Sequence, residues 1–230
     1  MSGLFDLFPG LAERPIATQG AEILLGTGGT GPPRLLLHGH WQLHVCWHKL
    51  AAELASRCTL VIADLRGYGR SAAPPSDAAH ETDCKRAMAE DCCAVMRALG
   101  HSRFIVAGQK SWSKSRDLKP FSAGALAHYR GLLAARGRVH ARCKDYRAGA
   151  SIDRRLDEAD IAAGRKISCP TFVPWGSAYL THDPLPTWQA WCSHVSGATV
   201  DCGHFLAEEN PAATLASGGF PASLKHPYEL

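Results

Sequence analysis

FIVAGQKSWSK, residues Phe104 to Lys114, is the stretch around which the rest of the chain is organised. Phe104, Ile105, Val106 and Ala107 form a short continuous apolar run, the pattern of a buried strand. Gly108 then offers a sharp turn. In a strand-turn-helix elbow written G-x-nucleophile-x-G, the first glycine makes the turn and the second lets the helix pack close to the strand. Gly108-Gln109-Lys110-Ser111-Trp112 keeps the first glycine, puts Lys110 at the nucleophile position and replaces the second glycine with Trp112. An indole fills the space that close packing needs. The surroundings read as an enzyme, while the elbow itself lacks a competent nucleophile.

Outward from this stretch, strand and helix patterns alternate. Strands are expected at Ala21 to Leu25, Leu35 to Leu37 and Cys58 to Ala63. Apolar residues at helical spacing run from Trp47 to Arg57 and from Lys85 to Leu99, the latter stopped by Gly100. Turn-rich breaks lie at Gly26 to Pro33 and in DLRGYGRSAAPP, Asp64 to Pro75. This alternation predicts an α/β class with a mostly parallel sheet flanked by helices. Ligands of such sheets sit at the carboxyl ends of strands, which places His38 to His40, Asp64 to Tyr68 and Lys110 along one edge. After Lys110 the rhythm breaks. Ala123 to Arg136 and Arg138 to Arg147 read as helical, Thr171 to Val173 as a late strand, Trp188 to Val195 as amphipathic, and Thr199 to Asp201 as the last strand. The Phe104 and Thr171 strands are expected to pair directly through a right-handed crossover. Residues 1–216 are expected to form a single domain, with 217–230 as an irregular tail.

Composition narrows the function classes. The chain has 230 residues, 46% hydrophobic and 20% charged, ordinary values for a globular protein with one core. A formal net charge of +4, with both signs interleaved, gives no reason to expect nucleic acid or a membrane surface as partner. No run reaches the ~18 apolar residues of a membrane span. The first residues, MSGLFDLFPG, lack a basic segment before an apolar one, so a cytoplasmic location is expected. Nine cysteines, an odd number without scaffold spacing, read as buried thiols rather than disulfides.

Several segments together carry a resemblance: HGHWQ (His38 to Gln42), CWHKL, DLRGYGRS (Asp64 to Ser71), KRAMAEDCCAVMRALG, CKDYRAGASIDRRLDEAD (Cys143 to Asp160) and CGHFLAEE. The chain resembles the haloacetate (fluoroacetate) dehalogenase branch of the α/β-hydrolases over most of residues 8–108 and 121–216. In that branch an elbow aspartate displaces halide from carbon and forms an ester, which a histidine-activated water opens. A second aspartate orients the histidine, two backbone N–H groups form an oxyanion hole, and a helical cap holds the halide. The resemblance implies hydrolytic cleavage of a haloacetate to glycolate, a small-molecule substrate and no cofactor.

Residue by residue, His204 matches the family base. The N–H of His40 matches one oxyanion donor, and Trp41 stands where the family usually has proline. Lys110 stands at the nucleophile position and is not competent there. Lys114 matches a carboxylate-binding arginine. Between the elbow and Phe121 the family has several tens of residues that this chain lacks, including the next strand, its orienting aspartate and most of the cap. Residues 121–160 are then a remnant of cap and return helix in a truncated sheet.

Other candidates compete. Asp183 follows the Thr171 strand, where many α/β-hydrolases keep their acid, but a turn aspartate before Pro184 is the favoured reading. Ser111 and Ser113 lack the glycine frame of a nucleophile. His40, His44 and His48 have metal-ligand spacing on a helix, yet no carboxylate completes a set, so no metal is expected. Lys110, Lys114, Arg116 and Lys119 around Trp112 read as a solvated loop, so no nucleic acid is expected. The expected protein is a haloacetate dehalogenase-like chain without activity. The alternatives are a non-catalytic relic binding a small carboxylate near Lys114 and Trp41, or a carboxylester hydrolase using another nucleophile. Uncovered apolar surface at Trp112, Trp188 or Trp191 makes a homo-oligomer a further expectation.

Overall fold

The computed structural model describes residues 5–109, 118–135, 137–218 and 220. The chain divides into two compact units, Met1–Trp112 with Ser122–Arg154, and Ser113–Phe121 with Arg155–Leu230.

The first unit is built on a five-stranded sheet. Its strands are β1 (Ala12–Ala17), β2 (Glu22–Gly28), β3 (Pro33–Leu37), β4 (Thr59–Ala63) and β5 (Ile105–Gly108), in the order β1-β2-β4-β3-β5. β1 and β2 run antiparallel to their neighbours, whereas β3 pairs in parallel with both β4 and β5. β2, β3 and β4 hold aliphatic residues without polar alternation because both faces are covered. One face carries Ile23, Leu25, Leu35, Val61 and Ala63 against Cys92, Val95 and Met96. The last three lie on α2 (Lys85–Ala98), whose Leu99 C-cap is followed by Gly100 at φ +83°, a left-handed turn that glycine adopts without strain. Each large aliphatic so buried contributes roughly 1.5–3 kcal/mol.

The parallel register sets the site. Leu37 lies level with both Ala63 and Gly108, so the three following loops leave the sheet at one edge, as the alternation predicts. The loop after β3 enters a short 3-10 turn, His44–Trp47, and then α1 (His48–Ala55). The unit also contains α3 (Ala123–Ala134) and α4 (Arg138–Ala150), and α5 (Ile152–Ala162) begins within it.

Two expectations fail here. β5 ends the ladder instead of pairing with the Thr171 strand, and Val106 is 53% exposed. An apolar run of four residues does not distinguish a central from an edge strand, and only alternate β5 side chains are covered. Trp188 to Val195 is not one amphipathic segment. A short helix, α6 (Leu185–Gln189), stops first, and a strand then starts at Val195.

The second unit has a two-stranded parallel ladder, β6 (Thr171–Gly176) with β7 (Val195–Val200). The short helices α7 (Leu206–Glu209) and α8 (Pro211–Ala216) follow. Asn210 caps α8 by accepting a hydrogen bond from Ala213 N at 3.1 Å. Trp188 is 37% exposed. Among the described residues, no helix is long and apolar enough to cross a membrane.

Candidate active site

The DLRGYGRS segment is a scaffold in which nearly every residue has a mechanical task. Asp64 ends β4 fully buried, and its Oδ1 accepts hydrogen bonds from His44 N at 2.9 Å and from the His44 ring Nδ1 at 3.0 Å. Burial alone would push this carboxyl up. The neighbouring His44 and His38 outweigh it and hold Asp64 well below the usual carboxylate range. Arg66 Nε donates to Asp91 Oδ2 of α2 at 2.5 Å, and its Nη1 donates to Thr82 O at 2.9 Å. Ser71 Oγ donates to Asp64 O at 2.7 Å and accepts from Leu24 N at 2.8 Å. Gly69 has φ +51°, and a Cβ there would lie 1.7 Å from Asp64 Oδ2. Side-chain volume and backbone conformation both demand glycine.

The loop after β3 is fixed against that scaffold. His38 Nε2 accepts from Leu65 N at 3.1 Å, which makes Nδ1 the protonated nitrogen and the donor to Gly39 O at 3.0 Å. Burial lowers the His38 pKa to about 4 despite the Asp64 charge beside it. Gln42 N donates to Gly39 O at 3.1 Å and closes a turn whose third residue, Trp41, has φ +66°. A non-glycine residue held there costs ~1–3 kcal/mol. Trp41 is 44% exposed despite its size.

His40, inside that turn, joins a chain of polar groups. Its Nδ1 donates to the Tyr68 hydroxyl at 2.8 Å, and the hydroxyl donates to Asp145 Oδ2 of α4 at 2.5 Å. The Lys85 ammonium pairs with Asp145 Oδ1, and Lys85 N donates to Asp153 Oδ1 at 2.8 Å. Burial pushes Asp145 up, but hydrogen bonds and charge from His40, Lys85 and Tyr68 bring it down to about 2. Burial and the adjacent Asp145 drive the Tyr68 phenol far above its ordinary range, so it remains a donor. Trp41 and Tyr146 stand edge-on to the His40 ring at 4.6 and 4.2 Å. Arg142, one turn before Tyr146 on α4, lies under Trp41 and Tyr68, its guanidinium carbon 5.8 and 5.3 Å from their ring centroids.

In the second unit, His204 follows β7 and is 9% exposed, with Tyr179 and Phe205 rings edge-on at 4.4 and 5.0 Å. The Glu209 carboxylate clamps its loop from both sides. Oε2 accepts from Gly203 N at 2.7 Å and Oε1 from Phe205 N at 2.9 Å. Asp183 is exposed, and its Oδ1 accepts from Leu185 N at 2.9 Å, the local geometry of a turn aspartate before a helix.

A family model for the α/β-hydrolase family matches residues 35–109, from β3 through the end of β5. A crystal structure from Nostoc sp. PCC 7120, of α/β-hydrolase type, superposes with a TM-score of 0.84 at 32% identity, covering 94% of this chain and 99% of that one. The chain belongs to the α/β-hydrolase family. Among curated proteins, fluoroacetate dehalogenase of Burkholderia sp. is 28% identical, with 90% of this hydrolase and 92% of the relative covered. An epoxide hydrolase-type structure from Pseudomonas aeruginosa is also 28% identical, with a TM-score of 0.81 over 90% of this chain and 94% of that one. The alignment to the dehalogenase runs over 283 positions, more than the 230 residues present here. This hydrolase is therefore shorter than that relative inside the aligned span.

Within the α/β-hydrolase frame, the expected residues fall in three groups. His40 and Trp41 share one loop with Tyr68 and Arg142 around them. His204 and Asp183 belong to the second unit. Lys110 and Lys114, with Ser111, Trp112 and Ser113, lie outside the described residues. Trp41, which the resemblance puts at a proline position, has a φ of +66°, one that proline cannot adopt. His40, His44 and His48 are not aligned on a helix. Their rings turn separately to Tyr68, to Asp64, and to Val45 O with Ser122. Sequence reasoning missed Arg142, Asp145 and Glu209. The last two sit inside quoted segments, CKDYRA and CGHFLAEE, where a carboxylate near a conformationally special loop was the available signal.

Proposed function

We propose that this α/β-hydrolase is of haloacetate dehalogenase type, has lost the displacement chemistry, and keeps a seat for a small carboxylate beside the His38–Gln42 loop. The observation that carries the reading is Lys110 at the elbow. A lysine ammonium has no lone pair at neutral pH, and even its free amine would form no ester for water to open. The shortened aligned span supports the same reading, since a segment carrying the orienting aspartate is what the resemblance finds missing. Trp41, His40 and Tyr68 supply an aromatic and polar wall suited to a short carboxylate. The reading treats 1–216 as one hydrolase-like domain, with His204 an idle base, Lys114 a carboxylate contact, and a cytoplasmic, self-associating protein as its setting.

Halide release tests it. Purified parent and Lys110→Asp are incubated with fluoroacetate and chloroacetate, and free halide is followed. The variant restores a carboxylate but not its surroundings. Losing one oxyanion donor costs ~10²–10³ in rate, and a histidine without its orienting aspartate ~10⁴. Neither protein is expected to release halide. Steady release by either, abolished by His204→Ala, overturns the reading.

A further inference from the structure

Arg142 is buried completely, yet Nε, Nη1 and Nη2 all lack a hydrogen-bond partner. A guanidinium carries five N–H donors, and burying it without an acceptor is costly. The neighbouring groups do not solve this. Burial lowers the Arg142 pKa while the charges of Tyr68 and Asp64 raise it, but Asp64 forms no ion pair with it: Oδ1 is taken by His44, and Oδ2 is buried without a partner of its own. Arg138 lies close and repels, while its own Nη1 is spent on Ser71 O at 2.6 Å. His38, also nearby, is a donor to Gly39 O and an acceptor from Leu65 N, so it offers the guanidinium nothing. Asp145, one turn along α4, is already held by Tyr68 and Lys85. Two aromatic faces, Trp41 and Tyr68, satisfy the cation's charge in part but leave its in-plane N–H groups without acceptors.

We propose that Arg142 is an anion receptor: it takes a small monovalent anion, a halide or a short carboxylate, at the guanidinium edge between Trp41 and Tyr68. This deepens the carboxylate-seat reading above and rests on it for the carboxylate case, while the halide case stands alone. A carboxylate fits a guanidinium edge with two parallel hydrogen bonds, and a halide accepts from the same pair. The indole of Trp41 is the door. It is 44% exposed on a left-handed backbone, and its ring centroid lies 5.8 Å from the buried guanidinium carbon.

The test uses the full chain at constant ionic strength, exchanging chloride, acetate or fluoroacetate against a bulky sulfonate buffer anion. A saturable Tm rise is expected, ~5–10 °C at a hundredfold excess over Kd. It should vanish in Arg142→Met, along with broadening of the chloride-35 resonance. A rise with chloride alone makes this a halide site, and a rise with the carboxylates alone makes it a carboxylate site. Equal Tm in every anion, with a sharp chloride line, means that water alone fills the position and overturns the proposal. So does a rise that survives in Arg142→Met. Should that variant fail to fold, the parent's anion series and chloride line decide the matter. Halide release plays no part in this readout, so failure here leaves the inactive-elbow reading standing.

Discussion

His38 should make the fold acid-sensitive in a defined window. Its ring is buried and neutral, with Nδ1–H on Gly39 O and Nε2 accepting from Leu65 N. Asp64 Oδ1 lies 3.8 Å away and favours the charged ring, whereas His44 and Arg142 oppose it, and burial decides the balance at about 4. In the unfolded chain the same ring titrates near 6.5. Between pH 6.5 and about 4 the unfolded chain takes up a proton that the fold refuses. Stability from this group is therefore complete above 6.5 and is lost as pH falls toward 4. The difference is worth about 3 kcal/mol at 1.36 kcal/mol per pKa unit. Protonation would also replace the Nε2 acceptor with a donor facing Leu65 N–H, so the loop after β4 and the turn after β3 would separate. Denaturant melts at pH 7, 6, 5 and 4.5 should show stability falling across the window. His48 and His128 are also lowered by burial and add to the slope, so the diagnostic is the difference between the parent and His38→Gln. The variant should be less stable at pH 7 but lose up to ~1.4 kcal/mol less per pH unit. Equal slopes in the two proteins, or a His38 imidazolium signal in the folded state at pH 5.5, would refute the reasoning.

Gly69→Ala places a Cβ against Asp64 Oδ2 in a left-handed backbone, and a loss of about 3 kcal/mol in chemical denaturation is expected. Asp145→Asn removes a carboxyl whose pKa is depressed to about 2. The parent's stability from this group is present above pH 3.8 and lost below it, so the variant should show a flatter decline between pH 4 and 2, by about 2 kcal/mol. Glu209→Gln leaves one acceptor oxygen for two N–H groups, and amide exchange at Gly203 or Phe205 should quicken at least ~10-fold by mass spectrometry or NMR, with unchanged exchange counting against the clamp.

The sequence was most legible where chemistry and packing agree. Leu35 to Leu37, Leu60 to Ala63 and the α2 face read correctly because covered strands and an amphipathic helix leave distinct spacings. β1 left no such trace. Ala12 to Ala17 is almost wholly exposed, and Pro15 is tolerated because the strand lies at an edge. Trp188 to Val195 misled because its apolar residues belong to two elements, with Cys192 already bridging to Ile167 before β7 begins. In the loop after β3, His40 and Trp41 carried a signal in the motif around them, as His204 did separately in the second unit. Arg142 carried none, since an arginine on a mostly polar helix reads as solvated until the turn at Trp41 is seen to lie over it.

The place of β5 at the end of its sheet has an expected consequence for a population of these chains. Its outer row of backbone groups is unpaired within its own sheet, and Val106 is 53% exposed. Such a row is a template for another strand. Encounter between two templates is second order in chain concentration, whereas folding is first order. Newly made chains at high local density are thus expected to be partitioned by crowding of like with like rather than by stability. Dilution, slower synthesis or a charge at position 106 should rescue soluble yield more effectively than a substitution that strengthens the core, and light scattering against concentration would register the difference.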